Sequence, residues 1–374
     1  MAPQFQSEID VGHLLGSYLP RTQTFIYRYL TACNRTRPVV FSRLFNSLTE
    51  FPIAQPIQWR RPFNPRRHRG RTGFLSILNP PYHLEVLHAH FGNIGHRALN
   101  DAEALGLPLI TSFYGYDIGR TPKEPGWRDR YLELFDRGAG FLVEGPNMRS
   151  QLAGLGCPTE KIHLQRIAID LSMYEYKARH VTSSGRIRIL WAARMVEKKG
   201  LLEAISAFAA VADRFPMADL RVIGEGPLLE TAQSRVSTLG IGNQVKFRGL
   251  ISHQSLIEEL ENCHIFLAPS KTARDGDTEG GAPTILLEAQ AMGIPIVSTR
   301  HADIPYVLED NAGGLLAEEG DVDGVAHHLE TLISNPERWV AMGEIGRRHV
   351  EARHNVKQEV KALERLYLDT AGRA

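Results

Sequence analysis

The feature that most constrains the fold is an alternation of short apolar runs with longer amphipathic segments. In the second half of the chain, apolar runs at residues 187–192, 219–223, 245–247, 265–268 and 295–298 are separated by segments with helical periodicity. Strands that alternate with helices form parallel sheets joined by right-handed crossovers. This half is therefore predicted to be an α/β domain built on a parallel sheet.

The first half shows the same alternation, with apolar runs at residues 11–15, 39–41, 86–90, 108–113 and 141–143. We therefore predict a second α/β domain of similar construction. In such sheets, ligands bind at the carboxyl ends of the strands, so functional residues are expected just after the apolar runs.

A polar stretch without periodicity at residues 176–186 separates the two series and predicts the linker. A length of 374 residues fits two domains, since a domain commonly contains roughly 100–200 residues. We expect Rossmann-like domains over residues 1–178 and 179–355, facing each other across a cleft.

Composition excludes several classes of protein. The chain is 43% hydrophobic and 23% charged, which excludes disorder, and its net charge of +1 gives no sign of nucleic-acid binding. Its three cysteines are far apart, which favours a reducing compartment over a disulfide framework. We see neither a signal peptide nor a run of about 18 apolar residues. A cytoplasmic protein is expected, and peripheral attachment to the inner face of the membrane stays open.

The loop after the first apolar run of the second half carries Arg194 and Lys199. Both side chains could face a diphosphate, the arginine as a forked donor and the lysine as a point charge. The alternative is a solvated loop with surface charges.

An acidic, glycine-rich loop precedes a helix predicted at residues 282–292. Free backbone N–H groups at a helix start attract anions and hydroxyl oxygens. Glu288 lies more than one turn along this helix, where it could accept hydrogen bonds from a ribose diol. The alternative is that Glu279 and Glu288 simply favour the helix macrodipole.

Three other patterns disfavour a dinucleotide fingerprint, a metal site and an α/β-hydrolase. The turn at residues 224–227 lacks the third glycine of a dinucleotide fingerprint, because position 229 is Leu229. His88, His90 and His96 have no cysteine or carboxylate at a matching spacing, so a polar cleft face is favoured over a metal site. A G-x-S-x-G elbow is absent, which removes the nucleophile of an α/β-hydrolase.

Taken together, these segments resemble the retaining glycosyltransferases of the GT-B fold that contain sucrose synthase and many bacterial polysaccharide transferases, family 4 of the usual classification. Residues 193–200 resemble the family's phosphate loop, and residues 279–288 resemble its paired-glutamate region. Residues 18–26, 88–92 and 111–117 resemble motifs of the transferases that build exopolysaccharides.

The resemblance implies transfer of a hexosyl group from a nucleotide-diphosphate sugar to a hydroxyl acceptor, with retention of configuration and without a metal or other cofactor. The implied catalytic residues are Arg194, Lys199 and Glu279. The implied donor-binding residues are Gly224, Leu250, Gly280, Gly281, Ala282, Pro283 and Glu288. The implied acceptor-side residues are Gly16, His90, Tyr114 and Asp117. Residues 356–374 resemble the family's last helix, which returns to the N-terminal domain.

The chain departs from the family pattern at several positions. Eight residues separate Glu279 from Glu288 where the family usually has seven, and Tyr114 replaces a common histidine. Gln23 stands where the exopolysaccharide group often has glutamate, and Ala193 replaces a glycine.

The acceptor and the biological setting have several readings. Surface polysaccharide synthesis, with a lipid-linked or soluble saccharide acceptor, is the leading hypothesis. The alternatives are glycosylation of a small natural product and a nucleotide-sugar-binding partner with impaired catalysis. Residues 59–71 carry six arginines and no acid. They fit a solvated loop, a contact with anionic lipid or a lipid diphosphate, or a site for an anionic soluble acceptor.

Overall fold

The computed structural model describes residues 8–19, 24–45, 47–53, 56–58 and 83–373. The chain divides into two compact units, residues 1–168 with 356–374 and residues 169–355. The arginine-rich stretch at residues 59–71 and Gln23 lie outside the described residues. Within the described residues, no helix has the length and apolarity needed to span a membrane.

The first unit contains a seven-stranded parallel sheet. Its strands are β1 (Ile9–Leu15), β2 (Thr36–Ser42), β3 (Pro56–Gln58), β4 (Leu84–His90), β5 (Leu109–Ser112), β6 (Gly140–Val143) and β7 (Ile162–Leu164). They lie in the order β3-β2-β1-β4-β5-β6-β7. The helices of this part of the chain are α1 (Thr24–Ala32), α2 (Gly92–Leu105), α3 (Gly115–Gly119), α4 (Trp127–Arg137) and α5 (Pro146–Gly154).

The central strands of this sheet are buried on both faces. All seven residues of β1 are buried, as are the last five of β4. Parallel sheets covered by helices on both sides require such continuous apolar strands. The apolar runs therefore identified five of the seven strands. The structure adds β3 and β7, which have three residues each and are too short to produce a pattern.

The second unit contains a six-stranded parallel sheet. Its strands are β8 (Ile187–Ala192), β9 (Ala218–Ile223), β10 (Val245–Gly249), β11 (Ile265–Ala268), β12 (Ile296–Thr299) and β13 (Gly314–Ala317), in the order β10-β9-β8-β11-β12-β13. Its helices are α6 (Leu201–Ala212), α7 (Leu229–Thr238), α8 (His253–Glu261), α9 (Thr284–Ala291), α10 (Ile304–Val307), α11 (Val322–Ser334) and α12 (Arg338–Arg353). The sequence missed β13, and α9 begins two residues later than predicted because Pro283 occupies the N-cap position.

The border between the units lies at residues 168/169, ten residues before the border predicted at 178/179. The intervening segment packs on the second unit, where the Ile169 amide donates to the His354 carbonyl at 2.9 Å. The buried Arg179 side chain likewise donates to the Met292 carbonyl at 2.8 Å. These partners are more than 100 residues away, so local polarity could not reveal the packing.

The last helix, α13 (Val356–Thr370), belongs to the first unit, as the resemblance implied. One carboxylate oxygen of Glu364 accepts three backbone N–H groups, from Asn34, Arg35 and Thr36, at 2.6 to 3.0 Å. This glutamate is buried and fixes the helix against the start of β2.

Candidate active site

The second sheet has a switch point between β8 and β11. These strands are neighbours, but the chain continues from β8 toward β9 and β10 on one side and from β11 toward β12 and β13 on the other. Loops that leave a sheet in opposite directions open a crevice at the carboxyl ends of the strands. The two loops here, residues 193–200 and 269–283, carry most of the predicted site residues. We call them together the charged edge.

The centre of the charged edge is an ion pair between Lys199 and Glu279. The lysine Nζ lies 2.6 Å from Oε2 of the glutamate, and Ser270 Oγ donates to Oε1 at 2.8 Å. The Glu279 side chain is only 5% exposed. Burial raises the pKa of its carboxyl, but the nearby lysine charges and these hydrogen bonds outweigh burial, so the pKa lies below its ordinary value. Two residues predicted to be catalytic are thus in contact, with the carboxyl ionised.

A second lysine, Lys198, holds the acidic loop in place. Its buried ammonium donates to Asp277 Oδ1 at 3.0 Å and to the Thr278 carbonyl at 2.7 Å. In the sequence, Lys198 was only part of the loop motif and had no assigned role. Of these two adjacent lysines, Lys199 is the one that reaches Glu279.

Arg194 lies on the same loop and is exposed. Its guanidinium has no hydrogen bond or ion pair with any other residue that the structure describes. Arginine binds planar oxyanions through a fixed fork of donors. The charged edge therefore combines paired cations, such as Lys198 and Lys199, with the available guanidinium of Arg194.

Two glycines allow the loops of this edge to approach each other. A Cβ on Gly200, which has a φ of 64°, would lie 1.8 Å from the Pro269 carbonyl oxygen. A Cβ on Gly224, which has a φ of 127°, would lie 1.9 Å from the Ala193 carbonyl oxygen. Both positions exclude side chains, because of the left-handed backbone and of the contact. Gly224, predicted to bind the donor, thus supports the Arg194 loop at close range.

Leu250, also predicted on the donor side, directly follows β10 and is 54% exposed. It lies at the carboxyl end of its strand, as do the residues of the charged edge. A large exposed apolar side chain among polar loops offers a surface on which a flat ring can rest.

The start of α9 contains the predicted donor-binding backbone. Gly280 has a φ of 75° and its amide donates to Thr278 Oγ1 at 3.1 Å, so a left-handed glycine accommodates the extra residue between the two glutamates. The Gly281 carbonyl accepts the Asp303 amide at 3.2 Å. The amides of Gly281 and Ala282 have no acceptor within the described ranges, which leaves two N–H donors beside Pro283.

Glu288 occupies the second turn of α9 and is buried. The hydroxyl of Tyr174 donates to its Oε1 at 2.8 Å. This tyrosine precedes the polar stretch at residues 176–186, and no local pattern indicates the contact.

Two further residues missed by the sequence analysis hold the acidic loop from the opposite side. His301 is 2% exposed, and its Nε2 accepts the Glu279 amide at 3.1 Å. Its Nδ1 lies 2.7 Å from Oε2 of Glu319, whose other oxygen accepts the Thr272 amide at 2.5 Å. Both residues follow strands of the second sheet, β12 and β13. Their position at strand ends was the available signal.

The first unit presents a different group of residues at the carboxyl ends of β1 and β4. His13 and His88 are direct neighbours in the sheet, and His13 Nδ1 lies 3.1 Å from His90 Nε2. We call these three residues the histidine cluster. Burial lowers the pKa of His13 to about 3, and burial with the neighbouring imidazoles lowers those of the other two well below the ordinary value. The cluster is therefore neutral at pH 7.

Hydroxyl groups satisfy the outer nitrogens of this cluster. His88 contacts Tyr367 Oη at 2.6 Å and Ser112 Oγ at 2.7 Å, and His90 Nδ1 contacts the Tyr114 hydroxyl at 2.8 Å. The cluster and surrounding aromatic rings line a small recess. His96, considered with His88 and His90 in the sequence, lies elsewhere and contacts Glu133 at 3.0 Å.

The histidine cluster is also where a metal ion could be held within the described residues. Each histidine offers one ring nitrogen, and these atoms lie within 4.8 Å of one another. The sequence could not assemble this group, because His13 lies 75 residues before His88. Its members are already linked to each other and to the hydroxyls described above, which accounts for their burial without an ion.

The remaining acceptor-side predictions have distinct positions. Gly16 directly follows β1 and is partly buried. Asp117 is 1% exposed, and its two oxygens accept the Gly92 amide at 2.8 Å and the Tyr114 amide at 2.7 Å. Burial raises the pKa of Asp117 to about 7, against the effect of these hydrogen bonds. In this structure Asp117 joins two backbone segments, and its acceptor-side role stays a prediction.

A parallel α/β unit with cations, open amides and close glycines at a switch point is typical of nucleotide-binding domains. Two parallel α/β units, with a last helix that returns to the first, define the architecture of GT-B glycosyltransferases. The fold thus places the chain in the GT-B class.

Comparison with known proteins supports this class. The family described as glycosyl transferases group 1 matches residues 173–349. The amylovoran biosynthesis glycosyltransferase AmsK of Erwinia amylovora is 32% identical over 315 residues, covering 80% of this chain and 77% of that protein. The colanic acid biosynthesis glycosyltransferase WcaL of Salmonella typhimurium is 31% identical over 261 residues, covering 69% of this chain and 64% of that protein.

Among solved structures, Anabaena HepE in complex with UDP and glucose has the same fold. It superposes with a TM-score of 0.78 at 13% identity and covers 96% of this chain and 99% of that protein. On this evidence, the chain belongs to the group 1 glycosyltransferases, the family of GT-B enzymes that its motifs resemble.

Proposed function

We propose that this protein transfers a hexosyl group from a nucleotide-diphosphate sugar to a hydroxyl of a saccharide acceptor, with retention of anomeric configuration. The observation that carries the proposal is the arrangement at the switch point of the second sheet. There a buried Lys199–Glu279 pair lies on the same pair of loops as an unpartnered Arg194.

The diphosphate of the donor binds at the charged edge. Arg194 has no competing partner and supplies the forked contact, while Lys199 supplies the second positive charge. The amides of Gly281 and Ala282 add neutral donors at the start of α9. These groups stabilise the negative charge that develops on the leaving diphosphate, so that no metal is needed for this role.

Glu279 and Glu288 bind the other two parts of the donor, the sugar and the ribose. Glu279 is held as a carboxylate by Lys199, and its free lone pairs face the donor sugar. Glu288, oriented by Tyr174, accepts hydrogen bonds from the ribose diol. The sugar ring carries positive charge in an oxocarbenium-like transition state, which a nearby carboxylate favours. The donor phosphate itself takes the acceptor proton, so no side-chain base is assigned.

The acceptor is a saccharide, lipid-linked or free, of bacterial surface polysaccharide assembly. The relatives AmsK and WcaL bear the names of amylovoran and colanic acid biosynthesis. The neutral histidine cluster and Tyr114 suit an uncharged polyol, because imidazole and phenol groups both donate and accept hydrogen bonds.

Thermal denaturation with UDP, GDP, ADP and their glucose or mannose derivatives tests the donor site. We expect one nucleotide family to raise the Tm of the wild-type protein and to have little effect on Arg194→Ala. Arg186→Ala is the matched control, since Arg186 is an exposed arginine just before β8, at the opposite edge of the same sheet. A protein that none of these compounds stabilises would contradict the proposal.

Proton NMR of the product tests the stereochemistry. With an α-linked glucosyl donor and an acceptor found by screening oligosaccharides, the product should show the small H1–H2 coupling of an α-glucoside. A β-linked product would exclude the retaining mechanism while leaving the transferase assignment intact.

A further inference from the structure

We infer that His301, oriented by Glu319, is a positioning residue for Glu279 and thereby for recognition of the donor sugar. This inference rests on the proposed function. It concerns two residues that lie outside every motif on which the family resemblance was based.

The hydrogen bonds fix the protonation of the imidazole. His301 Nε2 accepts the N–H of Glu279 at 3.1 Å, so this nitrogen carries a lone pair and no proton. The proton must then be on Nδ1, which donates to Glu319 Oε2 at 2.7 Å. A carboxylate that accepts from the far nitrogen holds the ring in this tautomer and orientation. With only one of these two hydrogen bonds, the imidazole ring could flip and exchange its two nitrogens.

The location of the imidazole allows it to hold the loop in one position. His301 is buried and follows β12, so it is anchored to the sheet and is not carried by the loop it contacts. Its Nε2 accepts the backbone N–H of Glu279, whose carboxylate pairs with Lys199. Glu319 also accepts the Thr272 amide at 2.5 Å, near the other end of the same loop. The histidine and the glutamate therefore tie residues 272 and 279 to the ends of two strands.

The loop needs this support because its own backbone is permissive. Three of the residues after Asp275 are glycines, at positions 276, 280 and 281, and two of them have positive φ. Glycine-rich backbone samples many conformations at little energetic difference. A fixed acceptor at the Glu279 amide selects one of them, the one in which the side chain meets Lys199 and Ser270.

Such a positioning role predicts a selective defect. A bare nucleoside diphosphate binds through Arg194, Lys199 and the ribose contact of Glu288, whereas the hydrogen bonds of the His301 ring go to Glu279 and Glu319. Recognition of the sugar depends on Glu279. A nucleotide sugar should bind more tightly than the corresponding nucleoside diphosphate, and loss of His301 should remove this difference in affinity. Turnover should fall as well.

The test compares His301→Leu, His301→Gln and the wild type, using UDP with UDP-glucose and GDP with GDP-mannose. Affinities come from calorimetry, and turnover comes from release of the diphosphate. In His301→Leu we expect unchanged affinity for the diphosphate, loss of the sugar increment, and turnover lower by about 10- to 100-fold, the range expected for a misplaced catalytic group. His301→Gln retains an acceptor near the Nε2 position and should recover much of the loss.

The control is His327→Leu, the same exchange at an exposed histidine of α11, which should behave as the wild type. Equal losses of diphosphate and sugar binding in His301→Leu would overturn the inference, because they indicate damage to the whole site. Unchanged sugar binding and turnover would overturn it as well. If the wild type binds no nucleotide, the proposed function fails first, and that outcome is distinct from either of these.

Discussion

The carboxyl edges of the two sheets occupy equivalent positions in their units, yet they are chemically opposite. The edge of the second sheet is charged, with Glu279 ionised by neighbouring lysines and Arg194 open to solvent. At the edge of the first sheet the histidine cluster is neutral, since burial lowers the pKa of each of its members. Equivalent topology thus fixes where ligands bind, while the side chains fix which ligands.

This difference matches the two halves of a glycosyl transfer. A diphosphate leaving group gains negative charge during the reaction and needs cations that are already in place. A sugar hydroxyl is uncharged, and neutral groups that both donate and accept hydrogen bonds can bind it. The predictions below test this division, from the largest expected effect to the smallest.

Removal of the paired lysine should have the largest effect. In Lys199→Ala the buried Glu279 loses its partner and the diphosphate loses a cation, so kcat should fall about 10²- to 10³-fold, as for loss of one preorganised charge-stabilising group. Steady-state release of nucleoside diphosphate measures it. Lys246→Ala, at an exposed lysine of β10, is the control. A change of less than about twofold would remove the charged edge from the reaction.

Acidification should destabilise the first unit. The unfolded chain takes up protons on its histidines below pH 6.5, whereas the buried cluster does not, so stability falls by about 1.4 kcal/mol per pH unit for each histidine. For His13 this continues down to about pH 3. Asp117 acts in the opposite direction, because its raised pKa of about 7 gives stability that is lost as the pH rises toward 7.

Three histidines against one aspartate leave a net loss of stability between pH 6.5 and 5. Hydrogen exchange in β4, measured across this range, reports it for the first unit. His13→Gln, which cannot titrate, should reduce this net slope by about one half, because one aspartate offsets one of the three histidines. An unchanged slope would mean that the cluster does not stay neutral in the folded protein.

Substitution of Gly200 tests how closely the two loops of the charged edge pack. Gly200→Ala places a Cβ against the Pro269 carbonyl and should lower the free energy of unfolding by about 3 kcal/mol or more. Gly240→Ala has a similar φ of 70° but nothing within 4 Å of the new Cβ, and should cost about 1–2 kcal/mol for the left-handed backbone alone. Equal losses in urea denaturation would show that the loops can separate.

The smallest effect is expected at the tyrosine that orients Glu288. Tyr174→Phe removes one hydrogen bond to a buried carboxylate and should cost about 1–2 kcal/mol of stability. Tyr176→Phe is the matched control, because the buried hydroxyl of Tyr176 has no partner among the described residues and its removal should be neutral. A larger loss in the control would reverse the assignment of the two hydroxyls.

The sequence predicted what depends on local pattern. Strands β8, β11 and β12 produced clear apolar runs, and the loops after β8 and β11 were recognised because charges and glycines follow a strand directly. The contact of Lys199 with Glu279 was not predicted, because it depends on β8 and β11 being neighbours in the sheet. Whether each predicted residue performs its implied role remains a prediction.

What the sequence did not predict depends on contacts between distant strands. His13 joins His88 only because β1 and β4 are neighbours, and His301 reaches Glu279 only because β12 lies beside β11. The two backbone amides that donate to the oxygens of Asp117 were likewise not predictable from any spacing rule. A side chain used to hold the fold and one used to bind a ligand produce the same local sequence.

The central claim, that the charged edge and not the neutral one takes the diphosphate, is tested most directly by hydrogen exchange with and without saturating UDP, GDP or ADP. The account predicts that the nucleotide that raises the Tm slows exchange at residues 193–200 and 276–286 of the second unit, and that Arg194→Ala removes this protection. Slowed exchange confined to residues 86–92 and 111–117 of the first unit would contradict it.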